Sequence, residues 1–195
     1  MNAFVKSLVA ASLIVVSLVS GVYAEDQKRP TQEETLAEIK ADFGFVPNLL
    51  AEMAKSPAAP LVYTKTEAIM HNAYLTAKEQ QVVQLVTSLF NDCFYCSSMH
   101  SKFSEINGVS HEDVLAIRNG ETPADEHIAN LVWITTTILE KRGHLTDEDL
   151  ATVEDMGFDR ARLYEIIAHI GRKMIANYAV HIIKPELDEV FVFEE

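Results

Sequence analysis

Residues 76–100 read "TAKEQQVVQLVTSLFNDCFYCSSMH", and this stretch decides the fold class. Thr76 followed three residues later by Glu79 is a capping box, in which each side chain satisfies an amide left open at a helix start. Behind it, Val82, Val83, Leu85, Val86, Leu89 and Phe90 recur at helical spacing and give a wide stripe for burial. A second helix follows at once, carrying Cys93, Cys96 and His100, and it ends near Asn107-Gly108, a common C-terminal signal.

The same grammar extends in both directions. Upstream, Thr31 and Glu34 form another capping box that opens a short helix ahead of "FGFVPN"; a second helix starts at Pro47, and "SPAAP" precedes a third from about Leu61 to Asn72. Downstream, a short helix runs from Ser110 to Arg118. A long one starts at Thr122-Pro123 and passes through Trp133 to Lys141, and "LTDEDLATVEDMG" holds another short one. A long amphipathic helix spans Asp159 to about Ile183, with Leu163, Ile166, Ile167, Ile170, Met174 and Tyr178 as its apolar stripe. Trp133 and Tyr178 read as core. Only the tail, "VFVFEE", has strand character, and it is too short for a sheet. The reading is all-α, a single helical domain with the CxxC at the N-terminal edge of a helix.

The N-terminus reads differently. "MNAFVKSLVAASLIVVSLVSGVYA" has one Lys, an apolar run and small residues before Ala24, the pattern of a cleavable signal peptide over residues 1–24. The domain is then 25–195, exported to the periplasm or secreted. The apolar run falls short of the ~20 residues a spanning helix needs. The net charge of −13 among 195 residues repels phosphate backbones, so no nucleic-acid partner is expected, and no phosphate-binding glycine loop is present.

Cys93 and Cys96 are the only cysteines. On a helix they are three apart, and Cys96 and His100 four apart, so all three face one way. At a helix N-terminus, open amides and a neighbouring imidazolium favour a thiolate, lowering a cysteine pKa from ~8.5 into the range ~3.5–7.5. That is a redox site in outline: an activated sulfur, a resolving sulfur and a proton carrier. Two other uses compete. A zinc site wants four ligands, and none of the remaining residues is spaced to complete one, so no metal is assigned. A purely structural disulfide suits an exported chain, yet closing so small a loop removes little unfolded-state entropy. His169 and His181, on the last long helix, are placed to approach from a second layer. Those two, with His71, His111, His127 and His144, read better as satisfied or solvent-facing histidines.

The stretch from Leu75 to His100 resembles the signature of AhpD-like proteins in the carboxymuconolactone decarboxylase superfamily. "FGFVPNLLAEMAKSPA" and "ANYAVHIIKPELD" are similar to that family's opening segment and closing helix. The resemblance implies an all-helical fold assembled as dimers, trimers or hexamers, and a thiol-dependent peroxidase or disulfide-reductase activity without a cofactor. It implies that Cys96 becomes a sulfenic acid, that Cys93 is its proton donor and resolving partner, and that His100 belongs to a proton relay. The partners are then a peroxide or disulfide substrate and an external dithiol reductant. Two alternatives stay open: a disulfide oxidoreductase that never meets peroxide, and a non-catalytic binding protein with a structural disulfide. One position departs from the family pattern. Twelve residues before the first cysteine, where a glutamate is common, stands Gln81, which holds a hydrogen bond but takes no proton. On this reading a charged His100 is the main partner of the Cys96 thiol, and a carboxylate restored at 81 speeds its oxidation.

Overall fold

Every helix in the computed structural model is short of the next by a few residues only, and most of the corners are set by local side-chain caps. The described residues are 30–71 and 73–194, and the leader expected over 1–24 lies outside them. Among the described residues nine α-helices follow one another: α1 (Gln32–Phe43), α2 (Asn48–Met53), α3 (Ala58–Met70), α4 (Ala77–Phe90), α5 (Phe94–Ile106), α6 (His111–Asn119), α7 (Glu126–Lys141), α8 (Asp147–Asp155) and α9 (Arg160–Ile183). A 3-10 turn at Glu189–Phe191 closes the sequence, and no strand occurs among the described residues. Thr31–Glu195 forms one compact unit; of the other, Met1–Pro30, only Pro30 is described.

Both expected capping boxes are present, Thr31 with Glu34 and Thr76 with Glu79, and a third joins Thr146 to Asp149. Such a cap is worth about 1 kcal/mol to its helix. Glu79 does more than cap. Its other carboxylate oxygen lies 2.8 Å from His127 Nε2 on α7, and the His127 ring stacks on Phe158. Burial works against the Glu79 charge, but the bonds from Thr76 and His127 outweigh it and hold its pKa below the usual value.

The central helix α4 packs against α5, α7 and α9. Two apolar clusters result. One joins α4, α6, α7 and α9 through residues such as Val82, Leu85, Ile128, Leu131, Ile134 and Ile166. The other gathers Ile39, Leu49, Leu50, Tyr63, Cys93, Cys96, Ala176, Val180 and Phe191 from α1, α2, α3, α5, α9 and the tail. The cysteines therefore sit inside a hydrophobic cluster.

Four details differ from the sequence reading. Trp133 and Tyr178 are exposed rather than core (38% and 52%), and so are Phe90 and Ile167. The inward face of α9 in its second half is instead Arg172, Lys173, Ala176, Asn177 and Val180. Polar groups turn inward there because they satisfy one another, which a count of apolar residues misses. The long helix α7 starts at Glu126 rather than Thr122-Pro123, because the Asp125 carboxylate accepts from the His127 and Ile128 amides and fixes the start. The tail is no strand: the Ser98 hydroxyl donates to Phe191 carbonyl (2.9 Å) and accepts from Phe193 N–H (3.1 Å), using backbone groups a strand would have paired.

Candidate functional site

Three residues separate α4 from α5. Asn91 ends α4, Asp92 takes a left-handed conformation (φ 52°), and Cys93 is the extended N-cap of α5. Asp is among the few side chains that tolerate such a φ, so the reversal is possible without glycine. Cys93 N–H donates to Ser88 carbonyl at 2.9 Å, and the Cys93 carbonyl accepts the first helical bond, from Ser97. The Cys93 sulfur occupies the place of a capping oxygen and accepts from the Cys96 amide at 3.3 Å. Cys93 and Cys96 are joined as a disulfide, with Cα atoms 5.3 Å apart. Both are buried, at 1% and 0% exposure.

One turn beyond Cys96, His100 is also buried and is held from both sides. Its Nδ1 meets Gln81 Oε1 at 2.8 Å, and its Nε2 meets Lys173 Nζ at 2.6 Å. Gln81 accepts, so Nδ1 carries the proton and Nε2 takes a hydrogen bond from the lysine. That is a neutral imidazole. Burial, and then the charges of Lys173, Arg172 and His169, hold the His100 pKa well below its ordinary value. The expectation of a charged His100 beside the thiol is thus corrected in direction: burial first, and then the neighbouring basic groups, disfavour a proton on the ring.

The cations of the site come from α9. Lys173 is fully buried and also donates to the Tyr63 hydroxyl at 3.2 Å. Arg172 donates through Nε to Tyr63 carbonyl (3.1 Å), lies over the Tyr63 ring at 4.0 Å, bonds Gln84 and forms an ion pair with Glu67. Behind them His169 is buried with no hydrogen-bond partner among the described residues at either ring nitrogen, and burial, then Arg172, lowers its pKa to about 4. His181, the other histidine expected in a second layer, is exposed. Sequence reasoning found Cys93, Cys96, His100 and Gln81, which the fold gathers on α4 and α5. It missed Tyr63, Glu67, Arg172 and Lys173. The signal available was adjacent Arg172-Lys173 in the middle of an otherwise apolar helix.

A cavity of about 100 Å³ opens against this polar wall, bounded by His100, Gln81, Arg172 and Glu67 on one side and by apolar residues such as Leu50, Met99 and Phe103 on the other. Phe191 closes it, its ring against Phe45, Tyr95 and Phe103. The tail is tied down beside it, where Tyr95 hydroxyl donates to Asp188 and Asp188 accepts from the Asn48 amide. Burial, then Asp188, raises the Tyr95 pKa, so the phenol stays protonated. A roomier groove of about 590 Å³ runs past Trp133, but Glu121 is the one charged residue lining it, and neither cysteine reaches it. The smaller cavity is the one that His100 and Gln81 line, and neither cysteine lines it. No group of three or more His, Cys, Asp or Glu residues suited to a metal ion occurs among the described residues.

Comparison with solved structures places this arrangement among helical proteins of one fold. An uncharacterized peroxidase-related protein from Ralstonia eutropha JMP134, described as an alkylhydroperoxidase AhpD core, superposes with a TM-score of 0.72 at 17% identity, over 84% of this chain and 92% of that one. A peroxidase-related protein from Silicibacter sp. TM1040 gives 0.68 at 16% identity, over 86% and 93%. The debrominase Bmp8 gives 0.66 at 17% identity, over 86% and 91%. No curated protein matches by sequence. Residues 58–131, which run from the start of α3 into α7 and include Gln81, Cys93, Cys96 and His100, match the carboxymuconolactone decarboxylase family. A stretch that matches the carboxymuconolactone decarboxylase family thus carries the CxxC pair, within an AhpD-core-like fold.

Proposed function

We propose that the protein is a thiol-dependent peroxidase that works through Cys96 and Cys93 in an exported setting, as an assembly of several copies. The same fold serves peroxidase-related proteins and a debrominase, so fold alone does not choose between activities. One observation carries the reading: both sulfurs are buried, at 1% and 0% exposure, so neither is presented on the surface. A reactant of a few heavy atoms reaches buried sulfurs more readily than the disulfide loop of a folded protein does. A small oxidant is favoured over direct exchange with a protein partner.

The steps balance as follows. The reduced Cys96 thiolate attacks the near oxygen of a hydroperoxide, the O–O bond breaks, and an alcohol or water leaves after taking up one proton. Cys96 is now a sulfenic acid. The Cys93 thiol condenses with it, releasing water and forming the disulfide. An external dithiol then returns both sulfurs to the reduced state and is itself oxidised. Cys93 suits the resolving role because its sulfur already lies 3.3 Å from the Cys96 amide.

In a Cys93→Ser variant the sulfenic acid has no thiol beside it and persists. The reduced variant, treated with hydrogen peroxide or cumene hydroperoxide and then with a sulfenic-acid label, is expected to carry the label on Cys96 by peptide mass. An unlabelled Cys96, in a protein whose wild-type pair still exchanges with a small disulfide, makes it a thiol–disulfide exchange enzyme instead.

A further inference from the structure

Lys173 has no carboxylate within ion-pair reach among the described residues. Two of its hydrogen bonds go to neutral acceptors, Tyr63 hydroxyl and His100 Nε2, and its side chain is wholly out of solvent. Around it, the charged and titratable groups are few. From α3 come Tyr63 and Glu67; from α5, His100 and the cysteines; from α9 itself, Arg172 and His169. Carboxylates on neighbouring helices are engaged elsewhere: Glu38 with Lys65, Glu52 with Lys55, and Glu79 with His127 and Thr76. Glu67 is the one anion, and Arg172 takes it. Two buried basic groups thus share one carboxylate, so a protonated Lys173 would stand without a counter-charge, which is costly.

A protonated Lys173 needs one more negative charge, and two kinds of group there can supply it: the cysteines, and Tyr63, whose pKa Arg172 and Lys173 lower against the effect of burial. Tyr63, Ala176 and Val180 belong to the same apolar cluster as Cys93 and Cys96, so the inward face of α9 that presents Lys173 also borders the sulfurs. We propose that Lys173 is the charge partner of the reduced pair, a positioning residue that acts through His100 to stabilise the Cys96 thiolate. The idea rests on the thiol-redox reading above and extends it to the proton. Reduction by a dithiol breaks the S–S bond and converts the dithiol to its disulfide. Of the two protons released, one goes to the Cys93 sulfur and the other to the Lys173 amine, and Cys96 is left as the thiolate. When the disulfide re-forms, the anion disappears and the lysine gives its proton back. Burial, with the Arg172 charge beside it, lowers the Lys173 pKa and makes such exchange accessible. His100 connects the two: neutral, with its Nε2 fixed by the lysine, it stands one turn from Cys96.

The test is a thiolate titration of the full-length reduced protein, followed by absorbance at 240 nm from pH 4 to 10 with tyrosinate read separately at 295 nm and subtracted, on wild type, Lys173→Met and Glu67→Gln. Lys173→Met is expected to raise the Cys96 pKa by about one unit, a tenfold loss of thiolate below the pKa. Glu67→Gln removes the competing anion and is expected to lower it. Opposite signs from two buried substitutions are not what loosened packing gives. A Lys173→Met protein with wild-type circular dichroism and an unmoved titration overturns the proposal. Should that variant not fold, Glu67→Gln decides, and an unchanged or raised pKa overturns it. Peroxide consumption is read on the same samples. Titrations that shift as expected in a wild type inert to peroxide keep the charge pairing and refute the peroxidase reading. Peroxide consumption with unmoved titrations refutes the pairing alone.

Discussion

A carboxylate at position 81 is expected to slow the oxidation of Cys96, the reverse of what the sequence suggests. Gln81 Oε1 is 2.8 Å from His100 Nδ1, and Lys173 Nζ is 2.6 Å from Nε2 on the other side of the ring. In Gln81→Glu the new charge lies about 7 Å from the ammonium group, and at an effective dielectric of about 20 the two attract by roughly 2.4 kcal/mol. That is between one and two pKa units, enough to keep Lys173 protonated in both redox states. The added anion also supplies the charge the buried cluster lacks, so the ammonium group no longer favours a thiolate. The Cys96 pKa should rise by about one unit, and the peroxide rate at neutral pH should fall about tenfold with the thiolate fraction. Stopped-flow consumption of hydrogen peroxide by the reduced protein, measured from pH 5 to 9, reads both quantities. A rate that rises, with the profile moved to lower pH, would refute the reasoning. It would mean that His100 takes up a proton after all and works as a base held by the carboxylate.

Three further outcomes are expected. His169, with a folded pKa of about 4 against an ordinary 6.5, contributes stability that is complete above about pH 6.5 and is lost as pH falls from there through about 4. The loss is roughly 2 to 4 kcal/mol, and urea unfolding at pH 7 and pH 4 should show a smaller difference in His169→Leu than in wild type. Glu79→Gln weakens the α4 capping box and the contact with His127 together; thermal unfolding should report a loss of about 1 to 2 kcal/mol, with the thiol titration unmoved. Tyr95→Phe frees Asp188 from the CxxC helix, and hydrogen exchange should quicken at residues 189–193 while α4 and α7 keep their protection.

Much of the site was legible because its parts are local. The capping box at Thr76, the three-residue corner and the CxxC with His100 are all set by neighbours in the chain, and Gln81 to His100 is one helix hairpin. The second half of the site was hidden because α9 inverts the usual rule. Ile175, Tyr178 and Ile182 face outward there, while Arg172, Lys173 and Asn177 are buried. Reading Met174 and Tyr178 as the continuation of the stripe from Ile166 and Ile170 carried the register the wrong way round. What reverses it is long-range pairing, Arg172 with Glu67 and Gln84, Lys173 with His100, and Asn177 with Asn91. No window of sequence contains both ends of those bonds. The tail was misread for a similar reason, since its backbone partner is Ser98, 93 residues earlier.

That separation also orders events during synthesis. The CxxC helix leaves the ribosome 93 residues before Phe191 and its wall of aromatic contacts. At about 5 to 20 residues per second the delay is roughly 5 to 20 seconds. Throughout that interval the cysteines have no Phe191 ring across the cavity and no Asp188 on Tyr95, so reagents too large for the finished molecule have access to both sulfurs. In the exported setting proposed above, the redox state in which the pair is buried is set by the compartment where the tail finally closes over Tyr95.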